Sequence, residues 1–339
     1  MKIGFFQIEG WEEEKVRAVL GGHELFFSKE KIMPFSLPET RDFDIISIFT
    51  GSRLDADTLS KFPNLKFIAT RSTGFDHIDL AEAQAQGISV AYVPGYGDHT
   101  VAEYTFGLLL ALTRKIYEGV EQVKKTGSFS LAGLRGTELR GKNIGVIGTG
   151  RIGREVVRLA KAFQMNLYCY DIYPSEDFAK EIGATYLPLS ELLAASDVIT
   201  LHCPLSPETR YLINKNNINL IKRGAYLINT ARGPIVETEA LVSALQSGIL
   251  AGAGLDVLEE EGETRDELDF LAAGVHPQEE ELRTILENHI LMRMPNVFVT
   301  PHNAFNSKEA MERILSITLD NLTGYLDGKN WLAVPKQDA

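Results

Sequence analysis

Short apolar blocks alternate along the chain with segments whose apolar positions recur every three or four residues. The blocks at 2–7, 24–27, 45–49, 65–70 and 88–92 read as strands, and 11–20, 54–62 and 80–86 as helices. Such alternation predicts a parallel sheet covered on both faces. The order starts again at 143, with strands at 143–147, 167–170, 197–201, 224–229 and 250–256, helices at 151–163, 175–182 and 237–247, a short turn at 190–193 and a last strand at 297–300. Between the two series, 98–126 reads as one long helix, started by Asp98 or Thr100 and stopped by Gly127. Its centre, 104–112, is apolar almost all round, which predicts burial on several sides. A final helix at 307–326 is expected to return to the first domain, so that the chain crosses between domains near 100 and near 301–306. The fold class is therefore α/β, with two doubly wound parallel-sheet domains, 1–100 with 304–339 and 101–303. Residues 259–290 break the pattern: Glu259-Glu260-Glu261 and Glu279-Glu280-Glu281 flank a stretch with Gly274 and Pro277. This reads as a solvated acidic excursion, although its length also suits a cover over the site or a contact between subunits.

Composition removes several classes. A chain of 339 residues, 44% hydrophobic and 24% charged, has material for about two domains and a large core. The net charge of −12 argues against nucleic acid or an anionic membrane as a partner. An anionic substrate would then need a local basic group. The N-terminal apolar run is short and interrupted by Glu9, so it reads as a strand rather than a signal peptide. The richest apolar run, 106–112, is too short to span a membrane, and a cytoplasmic location is expected. Two cysteines, Cys169 and Cys203, suggest neither a disulfide framework nor a zinc site, and no metal is expected.

The chemistry-bearing stretch is Gly148-Thr149-Gly150-Arg151-Ile152-Gly153, between a predicted strand and a predicted helix. Gly148 would permit the tight turn, Gly150 the approach of a pyrophosphate, and Gly153 close packing of helix on strand. Asp171 ends the next strand, 23 positions after Gly148. A carboxylate there accepts hydrogen bonds from a ribose 2′-hydroxyl and repels a 2′-phosphate, which points to NAD rather than NADP. Ile172, Tyr173 and Pro174 offer no cation to hold that phosphate. Among the histidines, His23, His276 and His289 read as surface groups and His77 as a local cap or packing group, while His99 carries no assigned chemistry.

The chain resembles the D-isomer-specific 2-hydroxyacid dehydrogenases over nearly its whole length. The likeness is carried by the glycine turn, His202-Cys203-Pro204-Leu205, Asn229-Thr230-Ala231-Arg232-Gly233, Gly254-Leu255-Asp256-Val257 with Glu261, and Thr300-Pro301-His302. Pro301-His302-Asn303-Ala304-Phe305, the stretch 71–79 and Val93-Pro94-Gly95-Tyr96 look most like the D-lactate dehydrogenase branch. The resemblance implies a Rossmann NAD-binding domain inserted into a flavodoxin-like substrate domain. It implies reversible hydride transfer between NADH and a short 2-oxo acid such as pyruvate, with glyoxylate, hydroxypyruvate or a bulkier 2-oxo acid as rivals. A dinucleotide-sensing corepressor is the reading from another class. Arg232 would bind the substrate carboxylate and carbonyl oxygen, and His302 would exchange the proton. Glu261 would hydrogen-bond the imidazole, favour its charged form and fix its orientation, an assignment resting on spacing alone beside Glu259 and Glu260. Thr73 and Gly74 would hold the carboxylate, and Tyr96 and Phe305 would touch the substrate side chain. Arg151, Ile152, His202, Cys203, Pro204, Thr209, Thr230 and Ala231 would line the cofactor, with Asp256 near the nicotinamide amide. A homodimer through the 98–126 region is expected.

Overall fold

A computed structural model describes residues 1–265 and 278–335. The chain forms two compact units, 1–96 with 307–339 and 97–306, each built on a wholly parallel sheet.

In the first unit β1 (Lys2–Phe6), β2 (Glu24–Ser28), β3 (Ile45–Ile48), β4 (Phe67–Thr70) and β5 (Ser89–Ala91) stand in the order β2-β1-β3-β4-β5, the flavodoxin-like arrangement. The central strands are apolar at successive positions because both faces are covered. On one face Phe6, Ile46, Ile48 and Ile68 pack with Phe43 and Phe62. On the other, Ile3, Phe5, Ile45 and Phe67 meet Val16 and Leu20 of α1 (Gly10–Leu20) and Leu315, Leu319 and Leu322 of the C-terminal helix, Lys308–Leu326. The helix expected at 54–62 is shorter, α2 (Ala56–Ser60). The Asp55 carboxylate caps it by accepting from the Thr58 N–H at 2.8 Å, which fixes the start. A short helix, α3 (Leu80–Ala85), precedes β5.

In the second unit β6 (Asn143–Ile147), β7 (Asn166–Tyr170), β8 (Thr185–Tyr186), β9 (Val198–Leu201), β10 (Ala225–Asn229), β11 (Leu250–Leu255) and β12 (Val297–Val299) stand in the order β12-β11-β10-β9-β6-β7-β8. This is the Rossmann order, with its switch point between β6 and β9. The two-residue edge strand β8 is too short to show a periodicity and has no counterpart in the hydrophobic pattern. On one face lies α4 (Asp98–Thr113), made to fit by the glycines of β11: a Cβ on Gly254 would stand 3.1 Å from the Leu108 Cβ. Helix α6 (Arg151–Ala162) buries Gly153, Val156, Val157 and Ala160, one stripe at helical spacing.

Two expectations need correction. The stretch 98–126 is not one helix. It breaks after Thr113, whose carbonyl accepts from the Thr137 N–H at 2.8 Å, and Lys115 takes a left-handed φ of +54° before α5 (Ile116–Thr126) begins. Nor is 259–290 simply a solvated excursion. Glu279–Arg293 is a helix that buries Ile285, Asn288 and Leu291 and packs on α7 (Thr238–Gln246). The acidic triplet at 279–281 forms its first turn, where carboxylates meet the positive end of the helix dipole, and the Glu281 carboxylate accepts from the Gln278 N–H at 2.7 Å. Gly274, His276 and Pro277 lie outside the described residues. Among the described residues no helix is long and apolar enough to cross a membrane, and no cluster of His, Cys, Asp and Glu could hold a metal.

Candidate active site

The motif residues of the second unit gather at the carboxyl ends of its strands, where ligands bind in doubly wound sheets. The glycine turn follows β6, Asp171 follows β7, and His202 and Cys203 follow β9; Arg232 lies beyond β10, Asp256 beyond β11 and His302 beyond β12.

At the switch point the glycines are dictated by space. Gly148 has φ +89°, and a Cβ there would lie 2.6 Å from the Cys203 nitrogen; on Gly153 it would lie 1.9 Å from the Gly148 oxygen. Gly150, immediately before α6, would meet nothing within 4 Å, and no side chain caps that helix. Asp171 ties the turn down. Its Oδ2 accepts from the Thr149 N–H at 2.6 Å and from the Thr149 hydroxyl at 2.9 Å, while Oδ1 accepts from the Tyr173 N–H at 2.9 Å. An open helix N-terminus beside a carboxylate at the next strand end fits the pyrophosphate and ribose of a dinucleotide.

Around this turn, the Arg151 Nε donates to Asp98 at 2.9 Å, and Ile152 packs at the edge of the core. Burial pushes the His202 imidazole down to about 3, so the ring is neutral at pH 7; its Nε2 lies 2.8 Å from the Thr200 hydroxyl. Burial pushes the Cys203 thiol up to about 11 and Cys169 up to about 12, which leaves both as thiols rather than nucleophiles. The Thr209 hydroxyl closes its own loop, donating to the Pro204 carbonyl at 2.6 Å and accepting from the Ser206 N–H at 2.7 Å.

Beyond β10, the Thr230 hydroxyl lies 3.1 Å from that of Thr105, and the Arg232 guanidinium donates to the Ala231 carbonyl at 2.7 Å. Beyond β11, Asp256 is 1% exposed, and its carboxylate is committed to the loop that carries the histidine. Oδ1 accepts from the Thr300 hydroxyl at 2.5 Å and the Asn303 N–H at 2.8 Å, and Oδ2 from the Ala304 N–H at 2.8 Å. Burial holds the Asp256 carboxyl above its ordinary range despite these donors. The His302 N–H donates to the Asp256 carbonyl at 2.9 Å, and His302 has a left-handed φ of +52°. Its Nδ1 lies 3.3 Å from the Glu261 Oε2, and Phe305 stands edge-on at 6.4 Å between ring centroids. Glu261, at the start of α8 (Glu261–Arg265), is thus the carboxylate at the imidazole. Glu259 points into the interior, where it accepts from the Thr238 and Tyr211 hydroxyls. The bracing by Asp256 and the burial of Glu259 had no sequence signal, since their partners lie 20 to 50 positions away.

In the first unit the loop after β4 is also braced. The Thr73 hydroxyl donates to the Val93 carbonyl at 2.8 Å, and the Ser72 hydroxyl donates to the Gly74 carbonyl at 2.6 Å. The Tyr96 carbonyl accepts from the Arg313 Nε at 2.8 Å. His77 sets its Nε2 3.1 Å from the Thr70 hydroxyl, a local packing role.

Residues 106–304 match the family model for the D-isomer specific 2-hydroxyacid dehydrogenase NAD binding domain. 2-Hydroxyacid dehydrogenase A of Aspergillus oryzae is 35% identical, over 96% of this chain and 92% of that one. Glyoxylate reductase of Thermofilum pendens is 39% identical, over 86% and 81%. The crystal structure of D-lactate dehydrogenase from Aquifex aeolicus complexed with NAD and lactic acid is similar at 36% identity, covering 99% of this chain and 100% of that one with a TM-score of 0.86. With the glycine turn, the strand-end residues and these likenesses in agreement, the chain belongs to the D-isomer-specific 2-hydroxyacid dehydrogenases, NAD-dependent oxidoreductases acting on the CH–OH group.

Proposed function

We propose that this dehydrogenase reduces a short 2-oxo acid, pyruvate foremost, to the D-hydroxy acid, and runs the reverse reaction on D-lactate. The observation that carries the mechanism is the His302–Glu261 pair, 3.3 Å apart. With Nδ1 on the carboxylate, the ring presents Nε2 to a substrate oxygen. Reduction adds a hydride to the carbonyl carbon and a proton to its oxygen; NADH supplies the hydride when bound. His302 delivers the proton from Nε2, and in oxidation takes it back. Glu261, at Nδ1, fixes the plane of the ring. The planar fork of Arg232 takes the substrate carboxylate and carbonyl oxygen together. Asp171 meets the ribose hydroxyls and makes NADH the preferred cofactor over NADPH.

Pyruvate is favoured by the full-length likeness to the Aquifex aeolicus D-lactate dehydrogenase and by the aromatic Phe305 beside His302. Glyoxylate is the second reading, favoured by the Thermofilum pendens relative. A panel of pyruvate, glyoxylate, hydroxypyruvate and a bulkier 2-oxo acid, followed by NADH absorbance, separates them. The highest kcat/KM is expected with pyruvate; glyoxylate in first place would select the second reading, and no turnover at all would favour the NAD-sensing alternative.

The assembly proposed is a homodimer. Helix α5 buries none of its residues and exposes Ile116, Tyr117, Val120 and Val123, while Phe129 and Leu131 are 85% and 84% exposed. An apolar surface of this kind marks an interface, and a second copy is its occupant. Light scattering should give twice the chain mass, and Val120→Glu with Leu131→Glu should halve it. Two free cysteines suit the reducing cytoplasm, the location proposed.

A further inference from the structure

The segment carrying Glu261 is held from two sides by groups that the reaction does not use. On one side is the Glu259 carboxylate, 4% exposed. It accepts from the Thr238 hydroxyl at 2.8 Å and from the Tyr211 hydroxyl, with the Arg210 guanidinium at 3.4 Å. On the other is Asn288, fully buried on the Glu279–Arg293 helix. Its Nδ2 donates both to the Glu259 carbonyl at 2.6 Å and to the Thr264 hydroxyl at 3.0 Å, so one amide bridges the turn that contains Glu261. Between these anchors Glu260 stands at φ +49°, a region costly for a residue with a side chain. Such a conformation persists only where its surroundings impose it. A third constraint comes from Gly233: a Cβ there would lie 2.0 Å from the Leu258 carbonyl carbon, so the turn after Arg232 rests directly on the backbone entering Glu259.

A buried carboxylate is an expensive way to fill space, and a well-packed apolar residue often does so at lower cost. Here it is tied to the one turn whose direction decides whether Glu261 reaches His302. We infer that Glu259, with Tyr211 and Asn288, is a positioning clamp that aims the Glu261 carboxylate at His302 and, through Gly233, sets the Arg232 turn. This rests on the catalytic reading of His302 and Glu261 given above. The titratable and charged groups nearby are Asp256 behind His302, and Arg210, Tyr211 and Glu287 around Glu259.

The test measures kcat, KM for both substrates and the pH profile of 2-oxo acid reduction. It compares the parent enzyme with Glu261→Gln, Glu259→Ala, Glu259→Gln, Tyr211→Phe and Asn288→Ala, each also checked by thermal unfolding. Glu261→Gln, which changes the group in contact with the His302 ring, should displace the alkaline limb of reduction. Glu259→Ala should move it in the same direction and lower kcat by about tenfold or more, as a misaimed catalytic group does, with KM for NADH little changed; Glu259→Gln should restore most of the loss. Should Glu259→Ala fail to fold, Tyr211→Phe and Asn288→Ala carry the test, with smaller displacements in the same direction. If Glu261→Gln moves the limb while the clamp variants lose only stability, the clamp is overturned and the catalytic reading survives. If Glu261→Gln leaves the parent profile intact, both fall together.

Discussion

Each unit has a first strand beside the switch point of a doubly wound sheet, followed by a helix, but only one leaves the start of that helix open. After β1 the space is filled from within. Arg71, at the end of β4 and 1% exposed, donates to the Glu12 carboxylate at 2.8 Å and to the carbonyls of Phe6 and Gln7 at 2.5 and 2.7 Å. The other Glu12 oxygen accepts from the Glu9 N–H at 2.8 Å, so the first turn of α1 meets the chain's own carboxylate. After β6 the same place holds Gly148, Thr149 and Gly150, and α6 begins without a side-chain cap. One architecture therefore yields an internally neutralised joint in one unit and a dinucleotide site in the other. What distinguishes them is the residue at the helix start, since a fold does not by itself create a site.

The largest expected effect comes from breaking the filled joint. Arg71→Met leaves the buried Glu12 carboxylate without its cation and takes the guanidinium donor from two carbonyls, which costs about 3–5 kcal/mol. Urea unfolding should show the loss, and adding Glu12→Leu should recover a good part of it; an unchanged midpoint in the single variant would mean the pair holds nothing. The complementary change, Gly150→Ala, adds a methyl where nothing lies within 4 Å. It should alter stability by less than about 1 kcal/mol while raising KM for NADH, because the methyl stands where the phosphates approach.

A smaller effect sharpens the contrast between the groups beside these joints. Arg71 is buried as a cation beside a carboxylate, whereas His202, half-buried against the backbone of Gly148, is neutral. Unfolded, His202 titrates near its ordinary 6.5; folded, it titrates at about 3. Between those values the unfolded chain holds the extra proton. The stability is therefore present above about pH 6.5 and drains away as the pH falls toward 3. From pH 7 to pH 5 this amounts to about 2 kcal/mol. His202→Asn should flatten the fall of Tm over that interval relative to the parent, and parallel curves would show that His202 takes up no proton on unfolding.

What could be read from the sequence follows from the range of the forces involved. The glycine turn was legible because most of its constraints are local: Gly148 turns at φ +89°, and a Cβ on Gly153, five positions on, would lie 1.9 Å from the Gly148 oxygen, whereas the approach of Cys203 to Gly148 comes from a distant strand end. Strand and helix periodicities survived for the same reason. Arg71 and Glu12 are 59 positions apart, and nothing beside either residue announces the other. Glu259, Glu260 and Glu261 look alike in a row. They separate only when Thr238, Tyr211 and Asn288 arrive from other elements to claim Glu259, and His302 arrives at Glu261. The break at Lys115 also depends on a distant partner, the Thr137 N–H that takes the Thr113 carbonyl.

The smallest effect concerns Asp171, which does two jobs that the right pair of substitutions can separate. On the proposed reading its charge opposes a 2′-phosphate, and its Oδ2 fastens Thr149 through the backbone N–H and the hydroxyl. Asp171→Asn removes the charge and keeps one oxygen for the Thr149 donors while the exposed Tyr173 N–H loses its acceptor, so the preference for NADH over NADPH should narrow by roughly tenfold, about 1.4 kcal/mol, at a stability cost below about 1 kcal/mol. Asp171→Ala should narrow the preference similarly and also cost about 1 kcal/mol of stability, because the Thr149 donors lose their partner. Neither variant should come to prefer NADPH. The residues that follow, Ile172, Tyr173 and Pro174, bring no cation to the 2′-phosphate, so only repulsion is relieved. Steady-state kinetics with both cofactors decides the matter. If Asn keeps the parent ratio and Ala alone changes it, selection depends on how the glycine turn is fastened rather than on the charge of Asp171.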